Sequence, residues 1–278
     1  MISSRTFDTH REVWREQLAL LIQQRRIIVE MAKREITDRY LGQVFGVFWA
    51  FGHPLVLMAV YVFIFAVVLK VKVGGTHALP LDYTTYLLAG LIPWLGFQES
   101  MGKASTVIIA HADLVKQVIF PIEVLPVKGV LASLITQIIF LFLLLLYVVV
   151  MYHSLSWIYL LLPFLVLVQA LAMIGVAYSV SAIGVYFRDI KDFLQVFSIV
   201  GIYLMPTFYL PESVPALFRP LLYANPFSYL VWCYQDVLYF GRFEHWWAWV
   251  VWTVMSVGLF YLGYRLFRRL KIMFGTVL

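Results

Sequence analysis

Few side chains in this sequence have the type and spacing that catalysis requires. The six histidines form no H-E-x-x-H pattern and no i, i+4 pair for a metal ion, and no serine lies in a G-x-S-x-G turn. A phosphate-binding G-x-x-x-x-G-K-[ST] loop is also absent, because Gly74-Gly75-Thr76 lacks the lysine. We therefore predict no catalytic, cofactor-binding or metal-binding site in this chain, and we expect that it is not an enzyme.

Two carboxylates in apolar surroundings could take part in proton transfer. Glu99 is the first candidate and Asp236 the second, since ionisable residues at membrane depth often serve as relays. Two separate acids give little support to a proton-coupled carrier, so we expect another polypeptide to supply energy for uphill transport. Asp189 and Asp192 alternate with basic residues, which indicates an ion-paired corner rather than a catalytic pair. The lone Cys233 excludes an intramolecular disulfide and a cysteine-based metal cluster.

The composition requires an apolar solvent around most of the chain. Of its 278 residues 63% are hydrophobic and only 13% are charged, too few to cover a water-soluble domain of this size. The apolar runs are continuous, as from Ile138 to Met151, whereas a membrane barrel alternates polar and apolar residues. These features predict an all-α integral membrane protein.

Six apolar segments are long enough to cross about 30 Å of hydrocarbon at about 1.5 Å per residue. We place these transmembrane helices near residues 44–69, 85–109, 124–152, 157–187, 193–210 and 246–267. Residues 1–43 would form an N-terminal interfacial segment and residues 44–278 the permease domain. The second span contains Gln98, Glu99 and Lys103, so it either ends early or lines protein instead of lipid.

The basic residues predict the orientation of these spans. With both termini in the cytosol, seventeen of the 21 Lys and Arg lie on the cytosolic side, and only Lys70, Lys72, Arg219 and Arg242 lie outside. We therefore expect a multi-pass protein of a bacterial inner membrane, with no cleavable signal peptide. The excess charge faces anionic lipid, and no nucleic-acid partner is needed to explain it.

Two further segments have compositions that differ from those of the predicted spans. Residues 14–40 carry apolar positions at helical spacing between charges, which predicts one or two amphipathic helices at the cytosolic interface. These helices would serve as a membrane anchor, or as a collar that also touches a cytosolic partner. Residues 212–240 are apolar but rich in proline, which predicts a re-entrant helical hairpin before the last span. An outer cap that only packs is the alternative.

Several short motifs resemble one family of membrane proteins. The string from Arg39 to Trp49, followed by Pro54, resembles the R-Y-x-x-S-x-L-G-x-x-W element of type-2 ABC exporter permeases, with Gln43 and Phe45 in place of serine and leucine. Further motifs follow in the same order. The matching positions are Arg39, Tyr40, Gly46, Trp49, Pro54, Pro93, Trp94, Pro121, Glu123, Pro126, Arg188, Asp189, Pro206, Asn225 and Pro226.

This resemblance implies a function and a set of partners. The run from Pro54 to Phe65 is most similar to the O-antigen branch of the polysaccharide exporters. It implies export of a lipid-linked polysaccharide in lipopolysaccharide biosynthesis, by a homodimer of permeases with two ATPase subunits that carry the ATP and magnesium. A short cytosolic helix that docks on the ATPase is implied at His111, Asp113, Leu114, Lys116 and Gln117.

Aromatic side chains are abundant, at 17% of residues. Tyr and Trp at the membrane interfaces form a belt by default, but a sugar polymer also needs sliding contacts, which aromatic faces offer to sugar C–H groups. We predict a pathway lined by Phe48, Phe51, Tyr61, Phe65, Tyr203, Phe208 and Tyr209. Packing in the core or the belt is the alternative for each of them.

Other functions share parts of this pattern. A permease for teichoic acid, capsule, small lipids or drugs would have a similar topology. A membrane-embedded transferase would require a cluster of His, Asp or Glu near one interface, and the sequence shows no such cluster.

Overall fold

The computed structural model describes residues 10–68, 81–116, 120–153 and 156–277, and these ranges are helical with no β-strand. Within these ranges three helical segments are long and apolar enough to cross a membrane: Val124–Tyr152, Trp157–Tyr186 and Trp246–Lys271. An all-α membrane protein is thus confirmed, while the six-span topology stays a prediction.

The α-helices follow one another along the described ranges. In order they are α1 His10–Gln23, α2 Arg25–Tyr40, α3 Trp49–Val62, α4 Tyr83–Ala110, α5 Ala112–Val115, α6 Val124–Tyr152, α7 Leu162–Tyr186, α8 Ile190–Gly201, α9 Arg219–Ala224, α10 Pro226–Gln235, α11 Trp246–Lys271 and α12 Phe274–Val277. Short 3₁₀ segments occur at Gly46–Phe48, Trp157–Leu161, Ile202–Leu204 and Pro211–Ser213. The turns Phe63–Val68 and Asp236–Phe240 are π-helical.

The helix in the first predicted span begins later than the sequence predicts. We expected it from residue 44, but α3 starts at Trp49 after a turn in which Gly42 and Gly46 have φ of 77° and 48°. Glycine adopts this left-handed backbone without the steric cost of a Cβ atom, so the chain turns between α2 and α3. The π-helical turn Phe63–Val68 then extends α3.

Helix α4 is the central helix of the bundle. It packs against α6, α7, α8 and α10, and most of its residues are buried. The Asp82 side chain accepts a hydrogen bond from the backbone N–H of Thr85 and caps the helix at its N-terminus. Its polar residues do not end it, since the helix continues to Ala110. The sequence predicted that this span either ends early or lines protein instead of lipid, and the structure agrees with the second.

Helices α7 and α11 approach each other through glycine. A Cβ atom on Gly263 would lie 1.9 Å from the carbonyl oxygen of Gly175, and one on Gly175 would lie 2.2 Å from that of Leu259. Such close backbone contact is typical of helix pairs in membranes, where small residues permit tight van der Waals packing.

The segment after α7 departs from the predicted fifth span. We expected a helix over residues 193–210, but α8 and its 3₁₀ extension end at Leu204. Met205 is extended, with φ −114° and ψ 156°, because the ring of Pro206 disfavours helical backbone in the preceding residue. The chain is irregular from there to α9.

The proline-rich stretch before α11 folds as short helices, as its sequence predicts. Pro220 lies in the first turn of α9, and Pro226 lies in the first turn of α10, where the Asn225 side chain accepts from the N–H of Phe227. Residues 230–239 are buried. This part is too deeply packed to be a free loop.

Candidate functional site

A cluster of ion pairs joins α2 to the ends of α4 and α6. Arg39 donates a hydrogen bond to Glu99, and Lys103 Nζ lies 3.0 Å from Glu99 and 3.1 Å from Glu35. Lys128 Nζ lies 3.4 Å from the other oxygen of Glu35. We call these five residues the charged cluster. Three cations share two carboxylates, so the cluster keeps one net positive charge.

This arrangement changes the interpretation of Glu99. Glu99 lies between Arg39 and Lys103 and forms an ion pair with each of them. Burial alone would lower the pKa of Arg39, but the hydrogen bond and charge of Glu99 outweigh it and raise that pKa. The prediction of Glu99 as a relay finds no support in this geometry.

Asp236, the second candidate, also uses its carboxylate for contacts within the protein. Its buried carboxylate accepts hydrogen bonds from the backbone N–H of His245 at 3.0 Å and from Trp249 Nε1 at 3.0 Å, and it lies 2.8 Å from His245 Nδ1. These contacts join the end of α10 to the start of α11. Asp236 therefore holds two elements together.

The N-terminal helices are attached to the bundle at a second place. Gln17 Nε2 donates to the carbonyl oxygen of Phe260 at 3.2 Å, and the Trp14 ring stacks on Tyr261 with centroids 5.6 Å apart. Arg268 pairs with Glu16 at 2.8 Å. Helix α1 is thus packed on α11, so the amphipathic segment is part of the folded body.

The family-motif residues occupy structural positions of several kinds. Trp94 is buried against Phe227, with ring centroids 5.1 Å apart. Glu123 accepts from Lys271 Nζ at 2.6 Å, and the carbonyl of Pro206 accepts from Tyr86 and Gln235. Buried positions are Pro54, Pro93, Trp94, Glu123, Pro126 and Pro206, partly buried ones are Tyr40, Gly46, Pro121, Asn225 and Pro226, and exposed ones are Arg39, Trp49, Arg188 and Asp189.

The predicted ATPase-docking segment forms the four-residue helix α5 directly after α4. His111 turns back into the protein, since its Nδ1 lies 2.9 Å from the Val107 carbonyl oxygen and its Nε2 lies 3.1 Å from Lys128 Nζ. Asp113 and Lys116 are exposed, and Leu114 is half-buried. Gln117 lies outside the described residues.

The predicted pathway aromatics lie on two separate segments. Phe48 and Phe51 are exposed at the start of α3, and Tyr61 is partly buried near its end. On the other segment Tyr203 is exposed and stacks on Phe208 at 5.5 Å, and Tyr209 Oη donates to the Tyr203 carbonyl at 2.9 Å. The side chain of Phe65 lies outside the described part of the structure.

The sequence pattern did not predict one buried pair of amide side chains. Gln137 and Gln169 exchange hydrogen bonds of 2.8 and 3.0 Å between α6 and α7, and Tyr234 Oη donates to Gln169 at 2.6 Å. A single glutamine in the middle of each apolar helix was the available signal, because a polar group at membrane depth needs a partner.

Within the described residues no group of three His, Cys, Asp or Glu side chains could hold a metal ion.

The fold is that of an integral membrane protein. Its apolar helices have membrane-spanning length and pack through glycine and buried amides, and charged amphipathic helices lie at one end. The chain belongs to the ABC-2 type transporter family, whose model matches residues 27–239. Members of this family are the membrane subunits of transporters and are not themselves catalytic.

Curated relatives extend the similarity over most of the chain. An O-antigen export system permease protein RfbA from Klebsiella pneumoniae is 26% identical over 259 residues, 91% of this chain and 95% of the relative. A protein of the same name from Myxococcus xanthus is 29% identical over 227 residues, 80% of this chain and 84% of the relative.

Proposed function

We propose that this protein is the transmembrane subunit of an ATP-driven exporter that moves a lipid-linked polysaccharide, O-antigen, out of the cytosol. The observation that carries the proposal is the match to the ABC-2 transporter family over residues 27–239, together with relatives that bear the O-antigen export name along 80–91% of this chain. The chain would not hydrolyse ATP itself, and a separate subunit would provide the ATP site.

The topology that fits this function has six spans in the bacterial inner membrane. Besides the three long apolar segments, α3 with its π turn, α4, and α8 with its 3₁₀ turn would supply the others. Both termini would lie in the cytosol, where the charged cluster and the basic last turn of α11 face anionic lipid. The residues before α3 would form the interfacial segment, and α9 and α10 the re-entrant pair.

The working assembly would contain two copies of this chain and two ATPase subunits. The exposed side chains of Asp113 and Lys116 on the α5 segment suit a docking contact, since they have no ion-pair partner among the described residues. The exposed aromatics of α3 and of the segment after α8 would line the pathway between the copies. Aromatic faces allow a polymer to slide without deep binding sites.

The experiment is complementation of a cell that makes O-antigen but lacks its own permease gene. Expression of this chain with its ATPase should restore polysaccharide at the cell surface, detected by antibody on intact cells. Omitting the ATPase, or inactivating its phosphate-loop lysine, should abolish the signal. Absence of surface polymer despite an assembled, ATP-hydrolysing complex would contradict the proposed substrate.

A variant of this chain tests the pathway in the same cells. Phe48→Ala, Phe51→Ala and Tyr203→Ala together should remove surface polymer while the ATPase still copurifies. The matched control replaces Phe142, Phe164 and Phe187, which are also exposed but lie on other elements. Equal export by both triple variants would remove these aromatics from the pathway.

A further inference from the structure

His111 lies at the bend between the central helix α4 and the short helix α5. Its backbone is not helical, with φ −120° and ψ 32°, so α4 ends and α5 begins around this residue. The His111 carbonyl oxygen closes the next turn, because it accepts from the N–H groups of Leu114 and Val115 at 3.0 and 3.1 Å. Contacts of the His111 side chain therefore help to set the direction in which α5 leaves the bundle.

The two ring nitrogens of His111 have partners of opposite kinds. Nδ1 lies 2.9 Å from the carbonyl oxygen of Val107, which can only accept, so Nδ1 carries a hydrogen. Nε2 lies 3.1 Å from Lys128 Nζ, and an ammonium group can only donate, so Nε2 offers its lone pair. Lys128 also forms an ion pair with Glu35. The geometry thus requires a neutral imidazole with its hydrogen on Nδ1.

The charged side chain that faces this ring is a cation. Lys128 of α6 contacts Nε2 directly, and Lys103 of α4 lies beyond it, 3.1 Å from the Glu35 carboxylate that both lysines share. On α5 itself, Asp113 and Lys116 are exposed to solvent. A second proton on the ring would sit on Nε2 and face the ammonium group. Two donors and two positive charges would then meet, and the contact would be lost.

We infer that neutral His111 fixes the α5 segment to Lys128 of α6, and that protonation of Nε2 releases it, so that export weakens as the cytosol becomes acidic. Histidine ordinarily gains its second proton between about pH 8 and about pH 5, where lysine and glutamate stay charged. Glu35 still holds Lys128 after the release, so the charged cluster remains. His111 is thus a positioning residue. The inference rests on the proposed function, because it takes the ATPase to dock on α5.

The state of the ring can be measured on the purified full-length chain in lipid bilayers, without ATPase and without polymer. Solid-state NMR of isotope-labelled histidine distinguishes a neutral ring with its hydrogen on Nδ1 from the Nε2 form and from imidazolium. We expect an Nδ1–H signal at about pH 8 that is absent from His111→Gln and converts to imidazolium by about pH 5. A His111 ring of the Nε2 form, or one that shows no change with pH, would overturn the inference.

Variants test the same contact in the complementation assay. His111→Gln keeps a donor and an acceptor on a side chain that does not titrate, so surface polymer should stay within about two-fold of the parent level. His111→Leu removes both hydrogen bonds, and surface polymer should fall about ten-fold while the ATPase still copurifies. Lys128→Met should have the same effect, because the ring loses its donor.

The pH profile separates this role from simple packing. Lowering the cytosolic pH with a membrane-permeant weak acid should reduce surface polymer several-fold in the parent and leave His111→Gln unaffected. The control is His153→Asn, an exposed histidine at the end of α6 with φ 51°, a backbone conformation that asparagine tolerates. This variant should keep the acid sensitivity of the parent.

Equal acid sensitivity in the parent and in His111→Gln would contradict the inference, and it would do so even if His111→Leu failed to fold. Loss of ATPase copurification in a folded His111→Leu would instead make His111 a part of the docking surface. The NMR measurement contains no ATPase, so it can fail while the complementation succeeds, and then only the role of His111 is wrong. If complementation fails while the ring behaves as expected, the proposed function is wrong and the pH-sensitive contact stands.

Discussion

At the scale of single residues, opposite charges in this protein are arranged to hold helices together. Glu99 and Glu35 each contact two cations that come from different helices, and their side chains are only 24% and 23% exposed. Partly buried pairs are screened less by water and salt than surface pairs. The pair Glu30–Lys33 is different, because both side chains are mostly exposed on one face of α2.

Glu99→Gln should therefore destabilise the protein more than Glu30→Gln. The first change leaves Arg39 and Lys103 without their shared carboxylate, and we expect a loss of about 1–3 kcal/mol. The second should cost less than about 0.5 kcal/mol. Equilibrium unfolding of the purified variants in mixed micelles would measure both. Identical unfolding curves would show that the charged cluster contributes nothing to stability.

At the scale of elements, the packing of α7 on α11 depends on the absence of side chains at the crossing. The backbones of Gly175 and Gly263 are in direct contact, so neither position has space for a methyl group. On the same helix α11, a Cβ atom on Gly258 would meet nothing within 4 Å. The two glycines of α11 provide a matched comparison.

Gly263→Ala should push α7 and α11 apart and destabilise the protein by at least about 2 kcal/mol. Gly258→Ala should be neutral or stabilise the helix by up to about 1 kcal/mol, since alanine has the higher helix propensity. Unfolding in mixed micelles and cross-linking between the two helices would report the change. If both variants behaved alike, the close approach at Gly263 would have no energetic role.

At the scale of the whole molecule, several charged elements lie together at one end of the bundle. The N-terminal helices, the charged cluster, α5 and the basic last turn of α11 all lie there. His111 and Lys128 join the α5 segment to the cluster through a contact of 3.1 Å. A force applied to α5 by a partner would therefore reach α2, α4 and α6 through direct contacts.

Removing the exposed charges of the α5 segment should weaken the contact with the ATPase. Asp113→Ala with Lys116→Ala should reduce the ATPase that copurifies with the chain several-fold, because both side chains are exposed and unpaired among the described residues. The control removes the exposed pair Arg242–Glu244, which the predicted topology places on the other side of the membrane. Unchanged copurification in the Asp113 and Lys116 variant would move the docking site elsewhere.

Several features of this protein were predictable because they depend on composition and local pattern. The long charge-free run around Ile138 predicted a helix over residues 124–152, and α6 has those bounds. The prolines at 220 and 226 predicted broken helices because proline lacks the N–H that a helix interior requires. The end of α8 before Pro206 follows the same chemistry, although the predicted span extended past it because residues 205–210 still include Met205, Phe208 and Leu210.

Other features required the tertiary structure. Three of the four ion pairs in the charged cluster join residues sixty or more positions apart, as Arg39 and Glu99 do, and no local pattern encodes such a pairing. The same holds for the amides of Gln137 and Gln169. The sequence by itself determined that this chain forms apolar helices in a membrane, because burying apolar side chains is a local preference. Only the folded chain decided which polar groups those helices bring together, since that depends on helix crossing and register.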